Sequence, residues 1–272
     1  MDGLDMLNTL QTEIIANGQK KSNDKPEYHF DKLKMYFGED FTFNSITISQ
    51  PTIGYILDVG EENFDRALSP FLYNSTSIRL FLWEHGKDWN KISDIEVFAI
   101  LMPAICTEYD YILDKIFNGF RFDDLQLLGV NKEENKIKYA LYSSSQNILI
   151  KEDEYMVIAE YLRELLNIHP KVEKAKGKTT KNWIIQEDKM NLANKSSENS
   201  SNLLSLISAC VNHPGFKYKL QELKDVGIYQ FMDSVRRIQK YESATAILNG
   251  SYSGFVDTSK LDKELFNFMG DL

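Results

Sequence analysis

Cysteine is scarce in this 272-residue chain, which has only Cys106 and Cys210. Two cysteines outside any C-x-x-C spacing build no disulfide framework, so a reducing compartment is expected. Long hydrophobic runs are missing too. None approaches the ~18–20 residues of a membrane span, and the opening MDGLDMLNTL lacks the basic stretch and apolar core of a secretory signal. The four N-x-S/T sequons at Asn74, Asn194, Asn199 and Asn249 therefore read as accidents of an Asn/Ser-rich chain. Positive charge is in deficit, at 31 Lys+Arg against 40 Asp+Glu, net −9. That balance argues against a nucleic-acid scaffold, because phosphate binding draws on an excess of Lys and Arg. No G-x-G-x-x-G, no G-x-x-x-x-G-K-[ST] and no G-x-S-x-G occurs, so the common phosphate loops and the nucleophile elbow are excluded. The expectation is a soluble protein of the cytoplasm with no membrane and no nucleic-acid partner.

What is present is enough apolar surface for a real core: 43% hydrophobic residues, with a 12% aromatic share. Large rings on that scale fill a core or an interface. The charge is unevenly spread. Residues 1–170 carry a net −12, residues 171–200 a net +3, and residues 201–272 balance to zero. The middle stretch is thus an electrostatic as well as a compositional boundary. Four regions follow: 1–40, an N-terminal helix and linker; 41–168, a mixed α/β domain; 169–200, a basic and polar connector with a helix; and 201–272, a helical region.

Periodicity fills in these regions. Leu4, Leu7, Leu10 and Ile14 share one helical stripe, and GQKKSNDKPE at 18–27 reads as a linker. FTFNSITIS at 41–49 alternates with one slip of phase, which predicts a bulged strand. A helix is predicted from about 52, interrupted near Gly60 and continuing to about 69. Ser75 or Ser77 is the expected N-cap of the next helix and Gly86 its stop. Ser93 with Glu96 forms a capping-box pattern ahead of Val97, Phe98, Ile100 and Leu101. Residues 110–150 break into short β-rich runs, YDYILDKIF among them, and predict a small antiparallel sheet of three or four strands with a turn at Gly129 and Asn131. Tyr155, Ile158, Leu162, Leu165 and Leu166 then give one apolar helix face. A helix capped by Thr179 or Thr180 follows. Leu203, Leu204, Ile207, Cys210 and Val211 form a stripe, as do Ile228, Phe231, Met232, Val235 and Ile238. The tail holds Leu261, Leu265, Phe266 and Met269. The predicted class is α+β, mostly α, with a bundle-like helical C-terminal region and a small antiparallel sheet in the N-terminal region.

The search for chemistry ends on bland readings. SACVNHPGFKY at 208–218 sets Cys210 three residues before His213. A structural zinc site takes four ligands, usually in two close pairs, and a cysteine–histidine dyad needs an orienting partner. Cys210 lies on an apolar stripe, where it packs as a small hydrophobe, and His213 sits where a helix macrodipole favours it, so the pair reads as a helix end. Asp123 and Asp124 read as a strand end or turn, and Glu61 and Glu62 as solvent-facing helix residues. His85 and Asp88, beside Trp83 and Trp89, read as loop packing. The lysines at 171–181 read as a solvated linker. No catalytic residue, no metal ligand and no cofactor is assigned. Arg236, Arg237 and Lys240 lie mostly off the stripe of their helix and form a basic patch, the one candidate partner-binding site.

Long blocks carry a further signal. QPTIGYILDVGEENF, RLFLWEHGKDWNKISDIEVF, KTTKNWIIQEDKM and LISACVNHPGFKYKLQELKDVGIYQFMDSVRRIQKYESATAILNGSYSGFVDTSK together resemble a tail-module family of tailed bacteriophages and prophages of Gram-positive bacteria. The resemblance spans roughly residues 41–269 and brings no catalytic signature. It implies a non-enzymatic morphogenesis factor. The first form is a tail assembly chaperone in the host cytoplasm that binds a tape-measure or tail tube protein, and itself in some assemblies. The alternative is a structural component of the virion tail or neck, assembled in a ring.

Overall fold

A computed structural model describes residues 28–131, 137–194, 201–254 and 261–270. The helix over 4–16 and the linker over 18–27 lie outside the described residues, as does most of the connector at 194–202. The described chain is mostly helical, with two small antiparallel sheets. In order it forms α1 (Lys32–Tyr36), β1 (Phe41–Phe43), β2 (Ile46–Ile48), α2 (Ile53–Val59), α3 (Glu61–Leu72), α4 (Arg79–Glu84), α5 (Asp94–Ile116), β3 (Leu125–Asn131), β4 (Ile137–Ser143), β5 (Ile148–Lys151), α6 (Glu152–Leu166), α7 (Lys178–Asn194), α8 (Asn202–Val211) and α9 (Ile228–Tyr252). Single 3-10 turns at Trp89–Lys91, Glu222–Asp225 and Lys263–Phe266 punctuate it.

These elements form two compact units that interleave along the chain. Among the described residues the first gathers 28–31, 41–49 and the stretch from 62 to 194; the second gathers 32–40, 50–61 and everything from 201 on. A linear division at 41, 169 and 201 therefore differs from the packing. Segments 32–40 and 50–61 belong with the C-terminal helices, and α7 belongs with the mixed region.

The first unit is built round aromatic side chains. Phe71 is fully buried, with ring centroids of Phe98, Phe117, Phe122 and Tyr155 at 5.2, 4.9, 5.5 and 6.4 Å. α6 turns Tyr155, Ile158, Leu162, Leu165 and Leu166 inward, the face its 3.6-residue period predicts. The Glu96 carboxylate accepts hydrogen bonds from both the Ser93 N–H and its hydroxyl at 2.9 Å, which fixes the start of α5. Arg163 is buried on α6; it donates to Asp94 at 2.8 Å and Glu160 at 2.7 Å, so the cation is matched where it is desolvated. α4, α7 and the Trp89 turn enclose a smaller core of Leu82, Trp89, Ala175 and Ile185.

Several expectations change here. The phase slip at 41–48 is a two-residue turn between β1 and β2, with Asn44 left-handed at φ +52°; it is not a bulge. Residues 110–116 are the last turns of the 23-residue helix α5, so YDYILDKIF is no strand. Its tyrosines and isoleucines are β-favouring, but the i, i+3, i+4 spacing of Tyr109, Ile112, Leu113 and Ile116 buries one helical face. The sheet has three strands, and Gly129 and Asn131 lie inside β3, paired with Tyr139 and Ile137. α4 has Ile78 at its N-cap without a side-chain bond, because Ser77 is already tied to Asn74. α7 starts at Lys178, which places Thr179 and Thr180 inside its first turn.

The second unit is tied by backbone. Thr52 pairs with Gly227 in an isolated antiparallel bridge; Ile53 N–H donates to Val226 at 2.9 Å and Ile228 N–H to Pro51 at 2.9 Å. Gly54 permits this approach, since a Cβ there would stand 2.7 Å from the Lys224 carbonyl oxygen. The Thr52 hydroxyl caps α2, accepting from Tyr55 N–H. On α8, Leu203, Ile207 and Cys210 are buried, whereas Leu204 is exposed: its period points it away from the buried arc. The tail holds a single 3-10 turn among the described residues, with Leu265 and Met269 exposed.

Candidate functional site

Each residue singled out by sequence has a local occupation. Cys210 is buried in α8, and burial pushes its thiol up. His213 lies beyond the end of that helix, after the cap Asn212. Gly215 N–H donates to its Nδ1 at 3.0 Å, and its Nε2 meets Glu242 Oε1 at 2.9 Å. An Nδ1 that accepts leaves the proton on Nε2, where it donates to the carboxylate. The imidazole thus links the end of α8 to α9. Among the described residues no three His, Cys, Asp or Glu side chains group as a metal site. Cys106, on α5, has a thiol pushed up to about 11, by burial first and then by Asp110 and Asp123.

The carboxylates are structural donors' partners. Asp124 accepts from Ser143 Oγ at 2.7 Å and Ser145 N–H at 2.8 Å, organising the β4–β5 turn. Burial opposes its charge, but these hydrogen bonds outweigh it and hold the carboxyl low. Asp123 is held low first by Arg121, which donates to it at 2.7 Å. Glu61 is not a solvent-facing residue: it accepts from the Ser201 hydroxyl and from Leu203 N–H at 2.9 Å, charging the N-terminus of α8. Glu62 pairs with Arg66 one turn on, at the surface. Asp88 caps the Trp89 turn and binds Lys181, whose ammonium also lies 5.5 Å from the Trp89 ring. Lys181 is thus mostly buried and paired, unlike a solvated linker lysine. His85 Nδ1 sits 2.8 Å from the Phe81 carbonyl.

Two hollows remain. In the first unit a polar cleft of about 630 Å³ runs past Thr76, Arg79, Lys171, Glu173 and α7. Its central cation is matched internally, because Arg79 donates to Asp188 at 2.6 and 2.7 Å and also to Glu173. In the second unit an apolar hollow of about 440 Å³ is lined by His213, Gly215, Arg237, Ile238, Tyr241, Phe268 and Met269. Tyr241 and Phe268 meet edge to face at 5.3 Å, and Met269 is 78% exposed, so thioether and rings stand open to solvent.

Of the basic patch, Arg237 is drawn into this hollow. Its Nη1 donates to the Phe268 carbonyl at 2.6 Å and the Gly270 carbonyl at 2.8 Å, clamping the tail along α9. Arg236 lies 6.0 Å from the Tyr229 ring, and both arginines and Lys240 are half-buried. Of the residues lining the hollow, His213, Arg237, Ile238 and Met269 are legible in the sequence as separate features, whereas Tyr241 and Phe268 are not. Tyr241 and Phe268 lie far apart in the chain, and the acceptors for Arg237 are carbonyls, which leave no trace in composition.

A family model described as the YomV second domain matches residues 194–271, the stretch that carries every residue lining this hollow. That family is phage-derived, of the Bacillus prophage type, and the match is consistent with a phage protein. No curated protein and no solved structure matches the chain. Among the described residues no helix is long and apolar enough to cross a membrane.

Proposed function

We propose that this chain is a non-enzymatic bacteriophage tail morphogenesis protein, acting first as a tail assembly chaperone for a tape-measure protein. The observation that carries the reading is the phage-derived family match over 194–271, centred on the unit that holds the apolar hollow. A tape-measure chain is long and helical, and its apolar stripes aggregate when they are made alone. An acidic protein with open Tyr241, Phe268 and Met269 has the chemistry to cover part of such a stripe, in the manner of a helix laid in a groove. Arg237 and His213 hold the walls of the hollow in place through their bonds to the tail carbonyls and to Glu242. The reading assigns no cofactor and no nucleic-acid partner, and places the protein in the host cytoplasm.

The second reading, a ring component of the virion tail or neck, rests on the same phage match. Two measurements separate the readings. Co-expression with the tape-measure protein of the same tail module is expected to raise its soluble yield, and Met269→Asp with Tyr241→Asp is expected to abolish the gain. Mass spectrometry of purified intact virions is expected to find this chain absent. Its presence at many copies per particle makes it a structural protein instead.

A further inference from the structure

The three-stranded sheet has two edges with different surroundings. β5 has four residues and runs straight into α6. Its Ile148, Leu149 and Ile150 wall a small cavity of about 70 Å³ opposite Phe43–Ile46 of the β1–β2 hairpin, and Asn44 Nδ2 donates to Glu154 Oε1 at 3.0 Å to hold the hairpin there. β3, at the other edge, has seven residues, all in antiparallel register with β4, and no strand beyond it among the described residues. Its Leu125 N–H returns to the Phe122 carbonyl; the described residues supply no other backbone partner outside the ladder. An edge strand turns the N–H and C=O of alternate residues outward and templates another strand. Edges are ordinarily blunted by Lys, Pro or a bulge, and LQLLGVN has none of these.

We propose that β3 is a pairing edge and that its occupant is β3 of a second copy of this chain, antiparallel, about a two-fold axis at Leu128. The strand's own sequence selects this partner. It has no charged residue, so self-pairing sets no like charges side by side, which is the usual penalty when identical strands meet. Centring on Leu128 places Leu127 opposite Gly129 of the copy, and a glycine leaves room for the leucine. The row Leu127–Leu141–Ile150, whose last two members are buried, then continues across the axis. The contact is short, about 23 Å at ~3.3 Å per residue, so the dimer is weak and concentration-dependent. It makes no use of Arg236, Arg237 or Lys240 and stands apart from the chaperone reading.

The test is sedimentation velocity of the full chain across the micromolar range, with three variants. Adjacent residues of a strand direct their N–H groups to opposite sides, so of Gln126→Pro and Leu127→Pro one removes only an outward donor. That variant keeps the wild-type circular dichroism and dimerises roughly thirtyfold more weakly, having lost one hydrogen bond per copy. The other breaks the ladder with β4. Gln126→Lys leaves every backbone group in place, sets two ammonium groups beside the seam, and also weakens the dimer. A wild-type chain that stays monomeric throughout overturns the proposal. So does a dimer whose constant is unchanged in Gln126→Lys and in any folded proline variant.

Discussion

The two units hold themselves together by different means. In the first, side chains reach across long stretches of sequence: Arg163 to Asp94, Arg79 to Asp188, Lys181 to Asp88, and four rings about Phe71. In the second, close main-chain approaches at Thr52–Gly227, Ile53–Val226 and Ile228–Pro51 form a seam, and several side-chain ties end on main-chain groups, Glu61 on the Leu203 N–H and Arg237 on two carbonyls among them. A core of interlocked rings is sensitive to loss of volume. A seam of close backbone approaches is sensitive to added volume. Opposite kinds of substitution should therefore find the weak point of each unit.

The largest effect is expected from Phe71→Ala, which removes a fully buried ring from among four others. Such truncations cost about 3–5 kcal/mol, because the lost transfer energy is joined by a cavity that rigid neighbours do not fill. All three tryptophans, at 83, 89 and 183, lie in the first unit, so their fluorescence reports it selectively. Urea unfolding followed by tryptophan emission should shift by that amount. A shift under 1 kcal/mol would mean the rings are loosely packed. In the second unit the sensitive change is an addition. Gly54→Ala puts a methyl 2.7 Å from the Lys224 carbonyl oxygen, a main-chain atom that moves only with the seam. About 1–3 kcal/mol is expected, the usual cost of overpacking, read in the helical far-UV ellipticity. An unchanged midpoint would show that α2 and the 222–225 turn are not in contact as described.

The same contrast explains what a reader of the sequence could see. Local signals were legible: the Ser93–Glu96 box, the break at Gly60 and the inward face of α6 each depend on residues within a few positions of one another. The hairpin at 41–48 was misread because an Asn-Ser turn and a bulge leave the same slip of phase. The end of α5 was misread because its β-favouring residues outweigh its period only when tertiary burial is ignored. Glu61 capping α8, 140 positions away in the chain, and the Arg237 clamp on two carbonyls had no local signature at all. The candidate site shares that defect, since it is assembled from one helix, one turn and the tail, and its acceptors are backbone.

The smallest expected effect separates charge from volume. Glu152 opens α6, and its carboxyl is pushed up, by burial first and by Glu96 and Asp153 next, against a hydrogen bond from the Tyr139 backbone and the charge of Lys138. A folded-state pKa above the unfolded value means the native state holds its proton longer. The stabilisation that goes with the proton is complete below the ordinary value of 4.5 and is lost as pH rises through the raised folded value. At neutral pH the native protein therefore carries an ill-solvated charge. Glu152→Gln keeps the shape and removes that charge, so it should raise the urea midpoint at neutral pH and give no gain below pH 4.5. The comparison is made in the tryptophan signal of the first unit at both pH values. A variant less stable than wild type at neutral pH would show instead that the negative charge at the start of α6 is favourable where it stands, as helix N-termini generally make it.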